Sequence, residues 1–138
     1  MGKSGVGMPA ALLLEQFAIV LNDAFGHGDN YFCTYQVGSS LERATWRDVD
    51  VRVILDDERY AAEGYGDPER SHGNAKWIAM TLAFSALGRQ LTGLPIDFQL
   101  QQQTHANAKN IGGKRSALGL WRHVTERDAP DPNPSEAT

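Results

Sequence analysis

Cysteine is almost missing from this chain of 138 residues: Cys33 stands alone, so no disulfide can close within it. Its place in the apolar run Tyr31-Phe32-Cys33-Thr34-Tyr35 suits a buried strand position, and the protein reads as intracellular and cytoplasmic. No apolar run reaches transmembrane length, because Glu15 and Gln16 interrupt the one that opens with Ala10-Ala11-Leu12-Leu13-Leu14. The start Met1-Gly2-Lys3-Ser4-Gly5-Val6 lacks the Ser or Thr that myristoylation prefers at its sixth position. No membrane role is expected. His27, His72, His105 and His123 are dispersed without partners at metal-ligand spacing, which argues against zinc, and no Ser-His-Asp assignment stands out. Internal repeats are absent, and the length suits one domain with one core.

Hydrophobic residues make up 41% of the chain and charged residues 22%, a balance typical of a soluble globular protein. The net charge of -4 owes much to Asp128, Asp131 and Glu136 near the end, so the body is close to neutral. Residues 101–127 gather Lys109, Lys114, Arg115, Arg122 and Arg127 against Glu126. This basic stretch reads either as a solvated surface or as a face toward a polyanion.

Pro9 followed by Leu13, Phe17, Leu21 and Phe25 at four-residue spacing predicts an amphipathic helix ending at Gly26. Tyr31 to Val37 reads as a buried strand, closed by Gly38-Ser39-Ser40. In Asp48-Val49-Asp50-Val51-Arg52-Val53-Ile54-Leu55 the valines alternate with Asp48, Asp50 and Arg52, so one face of a strand goes to the core and the other presents acids. Residues 56–73 read as a mobile loop or short irregular helix. Asn74 caps a second long helix with a core stripe of Trp77, Met80, Phe84, Leu87 and Leu91 that ends near Gly93. Leu94 to Gln102 predicts a third strand. Beyond Thr104 the chain looks irregular, and residues 128–138 form a Pro-rich acidic tail too poor in apolar surface to order itself. The expected fold class is α+β (α/β): residues 1–127 make one domain, with a small mixed sheet and helices packed on one face.

Residues two apart on a strand point the same way, about 6.5–7 Å apart. Two carboxylates at that separation repel by about 2.5 kcal/mol at an effective dielectric of about 20, which disfavours Asp48 beside Asp50 unless a cation sits between them. A hard, oxygen-preferring ion such as Mg2+ or Mn2+ reverses that sign. If the third strand pairs beside the second, Asp97 joins the same face and a site for two ions results. Such a site suits nucleotidyl transfer, with Asp97 assisting removal of the acceptor's proton. Gly38 lets the backbone approach a phosphate, Ser39 and Ser40 are candidate donors to it, and Arg43 lies within reach of a phosphate or is surface charge.

Val37-Gly38-Ser39, Asp48-Val49-Asp50-Val51 and Ile96-Asp97-Phe98 together resemble the signature of the nucleotidyltransferase superfamily of the DNA polymerase beta type, over about residues 10–103. The inferred order of helices and strands is similar to that superfamily's minimal core. The resemblance implies that Asp48 and Asp50 bind both ions, Asp97 the catalytic one, and Gly38 and Ser39 the phosphates of a nucleoside triphosphate such as ATP. It implies transfer of a nucleoside monophosphate to a hydroxyl of a protein, RNA or small molecule. It also implies a second protein partner, as in toxin–antitoxin-like pairs. The alternative is a catalytically weak nucleotide-binding or regulatory module. A structural protein with a fortuitous acidic face is a third class. Ile111-Gly112-Gly113-Lys114-Arg115-Ser116 lacks the Walker spacing and reads as a nucleotide contact or as an ordinary turn. Lys76 and Arg89 read as solvated, and Trp46 and Trp121 as packing residues or as platforms for a base.

Overall fold

The computed structural model describes residues 6–42, 47–109 and 113–120. Helix α1 spans Ala10–Phe25 and buries Leu14, Phe17, Ala18, Leu21 and Phe25. Phe17, Leu21 and Phe25 lie inside as expected, and only the first member of the stripe differs: Leu14 is buried while Leu13 is exposed. At 3.6 residues per turn a strict four-residue spacing drifts off a common face, and the step of three from Leu14 to Phe17 restores it.

Strand β1 is Thr34–Val37, shorter than the expected Tyr31–Val37. The backbone N–H groups of Cys33 and Thr34 both donate to Asn22 Oδ1, at 3.2 and 3.1 Å, so α1 holds the chain where it enters the strand. Helix α2, Ser39–Glu42, follows, and strand β2 is Val49–Leu55. The segment expected to be a mobile loop or short irregular helix contains helix α3, Asp57–Ala62, and a 3-10 turn over Pro68–Gly73. Two buried tyrosines anchor it. Tyr60 and Tyr65 are fully enclosed with ring centroids 5.2 Å apart, and Asp56 and Asp67 cap the two helical pieces.

Helix α4, Ala75–Thr92, starts where Asn74 Oδ1 accepts the Trp77 N–H at 2.8 Å and ends at Gly93 in the left-handed conformation. The face that it buries is centred on Trp77, Ser85, Gly88 and Thr92. Met80, Phe84 and Leu87 are only partly covered, and Leu91 is exposed. Small residues set that face. A Cβ at Gly88 would stand 2.7 Å from the Phe17 ring, so α4 approaches α1 where side chains are smallest. Strand β3, Ile96–Gln102, is followed by helix α5, Gln103–Lys109, and strand β4, Ser116–Ala117; both lie in the stretch expected to be irregular. The tail at 128–138, Trp46 and Trp121 fall outside the described residues.

The sheet order is β3-β2-β1-β4. β1 runs antiparallel to β2 and β4, while β2 and β3 are parallel, so the fold is a mixed α+β one. Val49, Val51 and Val53 with Ile96, Phe98 and Leu100 form the apolar face that α1 and α4 cover, and the Phe84 ring lies 5.2 Å from Phe25 and 5.4 Å from Phe98. α4 also caps the outer edge of β3. Trp77 Nε1 donates to the Leu100 carbonyl (2.9 Å), Arg89 Nε to that of Ile96 (3.1 Å), and the Phe98 N–H donates to Ser85 Oγ (3.0 Å). These bonds occupy ladder groups that an uncovered edge would offer to another chain.

The end of the described chain is tied back to α1. Asn22 Nδ2 donates to the Leu118 carbonyl at 3.0 Å, and Glu15 Oε2 accepts the Gly119 N–H at 2.6 Å. Burial pushes the Glu15 carboxyl up from its ordinary value, and the amides of Gly119 and Leu120 pull it part of the way back.

Candidate functional site

The face of the sheet turned away from the long helices carries the acids. Asp50 and Asp97 are register partners across β2 and β3, so they project side by side from neighbouring strands. Val37 is the register partner of Asp50 on the other side, which brings the turn after β1 against the same carboxylate. Gly38 there has φ +78°, and a Cβ at that position would overlap the Asp50 carboxylate. The glycine is therefore required twice, by its backbone angle and by the approach of the acid.

Asp48 lies exposed just before β2 and acts on Asp50 only through its charge. The structure thus joins Asp50, Asp97 and Gly38, with Asp48 at the rim. Ser40 is wholly buried, and its hydroxyl accepts from Gln36 Nε2 at 3.1 Å, so that group is turned inward. Ser39 is the first residue of α2, directly after the Gly38 turn. Arg43 lies outside the described residues.

Arg52, two residues beyond Asp50 on the same face, completes the cluster. Its Nη2 stands 3.7 Å from Asp50 Oδ1 and 3.6 Å from Asp97 Oδ2. Its Nη1 donates to the backbone carbonyls of Asp97 (2.7 Å) and Val51 (3.1 Å). The Arg52 side chain is 11% exposed, Asp50 23% and Asp97 40%, so the cluster opens toward solvent on the Asp97 side. Burial raises the Asp50 carboxyl above its ordinary value; Arg52 opposes that, while Asp97 and Asp48 add to it. Sequence reading placed Arg52 on the acidic face without giving it a role, although the two-residue step from Asp50 was the signal.

Of the remaining positive residues, Lys76 and Arg89 serve the fold. Lys76 Nζ donates to the Glu63 carbonyl at 2.5 Å and lies 5.5 Å from the centre of the Tyr65 ring, and Arg89 holds the edge of β3. Arg115, from the glycine-rich motif, stands 5.7 Å from the centre of the Tyr35 ring and donates to Asn107 Oδ1 at 2.7 Å. Tyr35 is the register partner of Arg52, so Arg115 lies beside the acidic face.

Among the described residues no three His, Cys, Asp or Glu side chains are grouped as a metal site. The donor chemistry nevertheless fits a hard divalent cation: Asp50 and Asp97 offer carboxylate oxygens side by side from neighbouring strands, with the Arg52 guanidinium as the positive charge now beside them. No described helix is long and apolar enough to cross a membrane. No family model, curated protein or solved structure matches this chain at a significant level.

Proposed function

We propose that the protein is a metal-dependent nucleotidyltransferase, moving a nucleoside monophosphate from a nucleoside triphosphate to a hydroxyl acceptor in the cytoplasm. The observation that carries this reading is the registered pair Asp50 and Asp97 with the Gly38 turn packed against it. Asp50 and Asp97 would hold Mg2+ or Mn2+, with Asp48 contributing from the rim. When bound, such ions polarise the phosphoryl group and lower the pKa of the attacking hydroxyl.

The chain's own groups do the rest. Asp97, the more exposed of the pair, accepts the proton of the acceptor hydroxyl. Gly38, lacking a side chain, lets phosphate oxygens approach the backbone where α2 begins, and Ser39 follows it in sequence. Arg43 is a further phosphate contact on this reading. The fold order that supports the resemblance is helix, strand, strand, helix, strand, and α1, β1, β2, α4 and β3 follow it.

One observation favours a second reading, a weakly catalytic nucleotide-binding module that works with a partner protein: Arg52 already neutralises the acids. Incubation with labelled triphosphates, Mn2+ and a cell lysate separates the two. Transfer of label with release of pyrophosphate, reduced at least about a hundredfold in Asp50→Asn and in Asp97→Asn, is the expected result. Triphosphate binding without transfer into any species would favour the module.

A further inference from the structure

Arg52 divides its guanidinium between two tasks. Nη1 is anchored to the backbone through the carbonyls of Val51 and Asp97, whereas Nη2 faces, among the described residues, the two carboxylates at 3.6 and 3.7 Å. Those distances are long for a charge-assisted hydrogen bond, which lies near 2.7–2.9 Å. The pairing is thus largely coulombic. A positive charge entering between Asp50 and Asp97 would replace what Nη2 supplies and would repel the guanidinium. The anchor on Nη1 keeps Arg52 from leaving, so the freed Nη2 stays in the site as a donor in need of an anion.

Resting on the transferase reading, we propose that Arg52 competes with the divalent cation for Asp50 and Asp97. When the cation enters, Arg52 transfers its Nη2 from the carboxylates to the triphosphate. Arg52 thereby couples the two ligands. The cation alone binds weakly because it must displace a resident charge, and the triphosphate strengthens its binding by giving that charge a new partner.

Mn2+ binding, followed by electron paramagnetic resonance with and without inorganic tripolyphosphate, tests this without any turnover. Arg52→Gln is expected to bind Mn2+ alone about tenfold more tightly than the wild type. With tripolyphosphate present the order inverts, and the wild type binds more tightly. A merely structural arginine would weaken cation binding on removal, so equal or weaker binding of Mn2+ alone by Arg52→Gln would overturn the proposal. Arg52→Lys, which keeps the charge and loses the fork, is expected to bind Mn2+ alone as weakly as the wild type.

Titration of the unmodified protein with Mg2+ gives a measurement that depends on no variant. The Arg52 guanidinium N–H resonances are expected to shift together with the carboxyl carbons of Asp50 and Asp97. Carboxyl shifts with an unmoved Arg52 would sink this inference and leave the transferase reading standing. No shift and no Mn2+ binding, with or without tripolyphosphate, would remove both.

Discussion

A methyl group at residue 38 would meet the Asp50 carboxylate and would force a side chain into a backbone angle that only glycine adopts freely. Gly38→Ala is therefore expected to lower stability by about 2 kcal/mol, measured by urea unfolding. Combining it with Asp50→Ala separates the two causes. The steric part vanishes in the double variant while the backbone part persists, so the two substitutions are less than additive together. Strict additivity would mean that residue 38 and the acid do not touch. At this scale the sequence was informative about identity more than about contact. Gly38, Asp50 and Asp97 were legible from spacing, and Arg52 was visible as a neighbour on the strand face. That the guanidinium would sit between two acids depends on the register of β3, which period-two alternation does not encode.

Strand β3 shows how an element can be legible while its surroundings are not. Its alternation of Ile96, Phe98 and Leu100 with polar residues announced a half-buried strand. Nothing in that pattern announced that Trp77, Ser85 and Arg89 of α4 would satisfy its outer edge. The large-residue stripe on α4 holds in part: Trp77 is buried and Met80, Phe84 and Leu87 pack against the core. Leu91 is exposed, and the most buried face also runs through Ser85, Gly88 and Thr92, because close approach favours small side chains. Helix α5 and strand β4 went unread since both are short, and β4 gains its identity only by pairing with β1. Ser85→Ala should leave the buried Phe98 N–H without its acceptor at a cost of about 1–2 kcal/mol. The expected readout is a lower midpoint in thermal unfolding, with amide exchange quickened most at Phe98. Unchanged exchange at that amide would show that the hydroxyl is dispensable to the edge.

Asp50 also shapes how the stability of the whole molecule answers pH. Below its ordinary titration range Asp50 is protonated in both the folded and the unfolded chain. As pH rises, the unfolded chain releases that proton first, since burial has raised the folded value. Stability contributed at this position is thus present at low pH and lost as pH climbs through the folded value. Asp50→Asn should remove that slope, making the metal-free variant more stable than the wild type at neutral pH and equal to it in strong acid. Denaturant midpoints of both proteins across the acid range, compared as a difference, isolate this residue from carboxylates such as Asp57 and Glu63 that shift the other way. A difference that grows toward low pH would contradict the assignment. The layout of one sheet under two long helices was readable from period and caps. The tie between Glu15 and Gly119 was not, because a polar residue inside a helical stripe gives no hint of its distant donor. That tie has a consequence for synthesis on the ribosome: a growing chain halted short of residue 119 would carry a carboxylate on its first helix with no amide yet made to receive it. A residue made 104 positions later would then settle the fit of that helix.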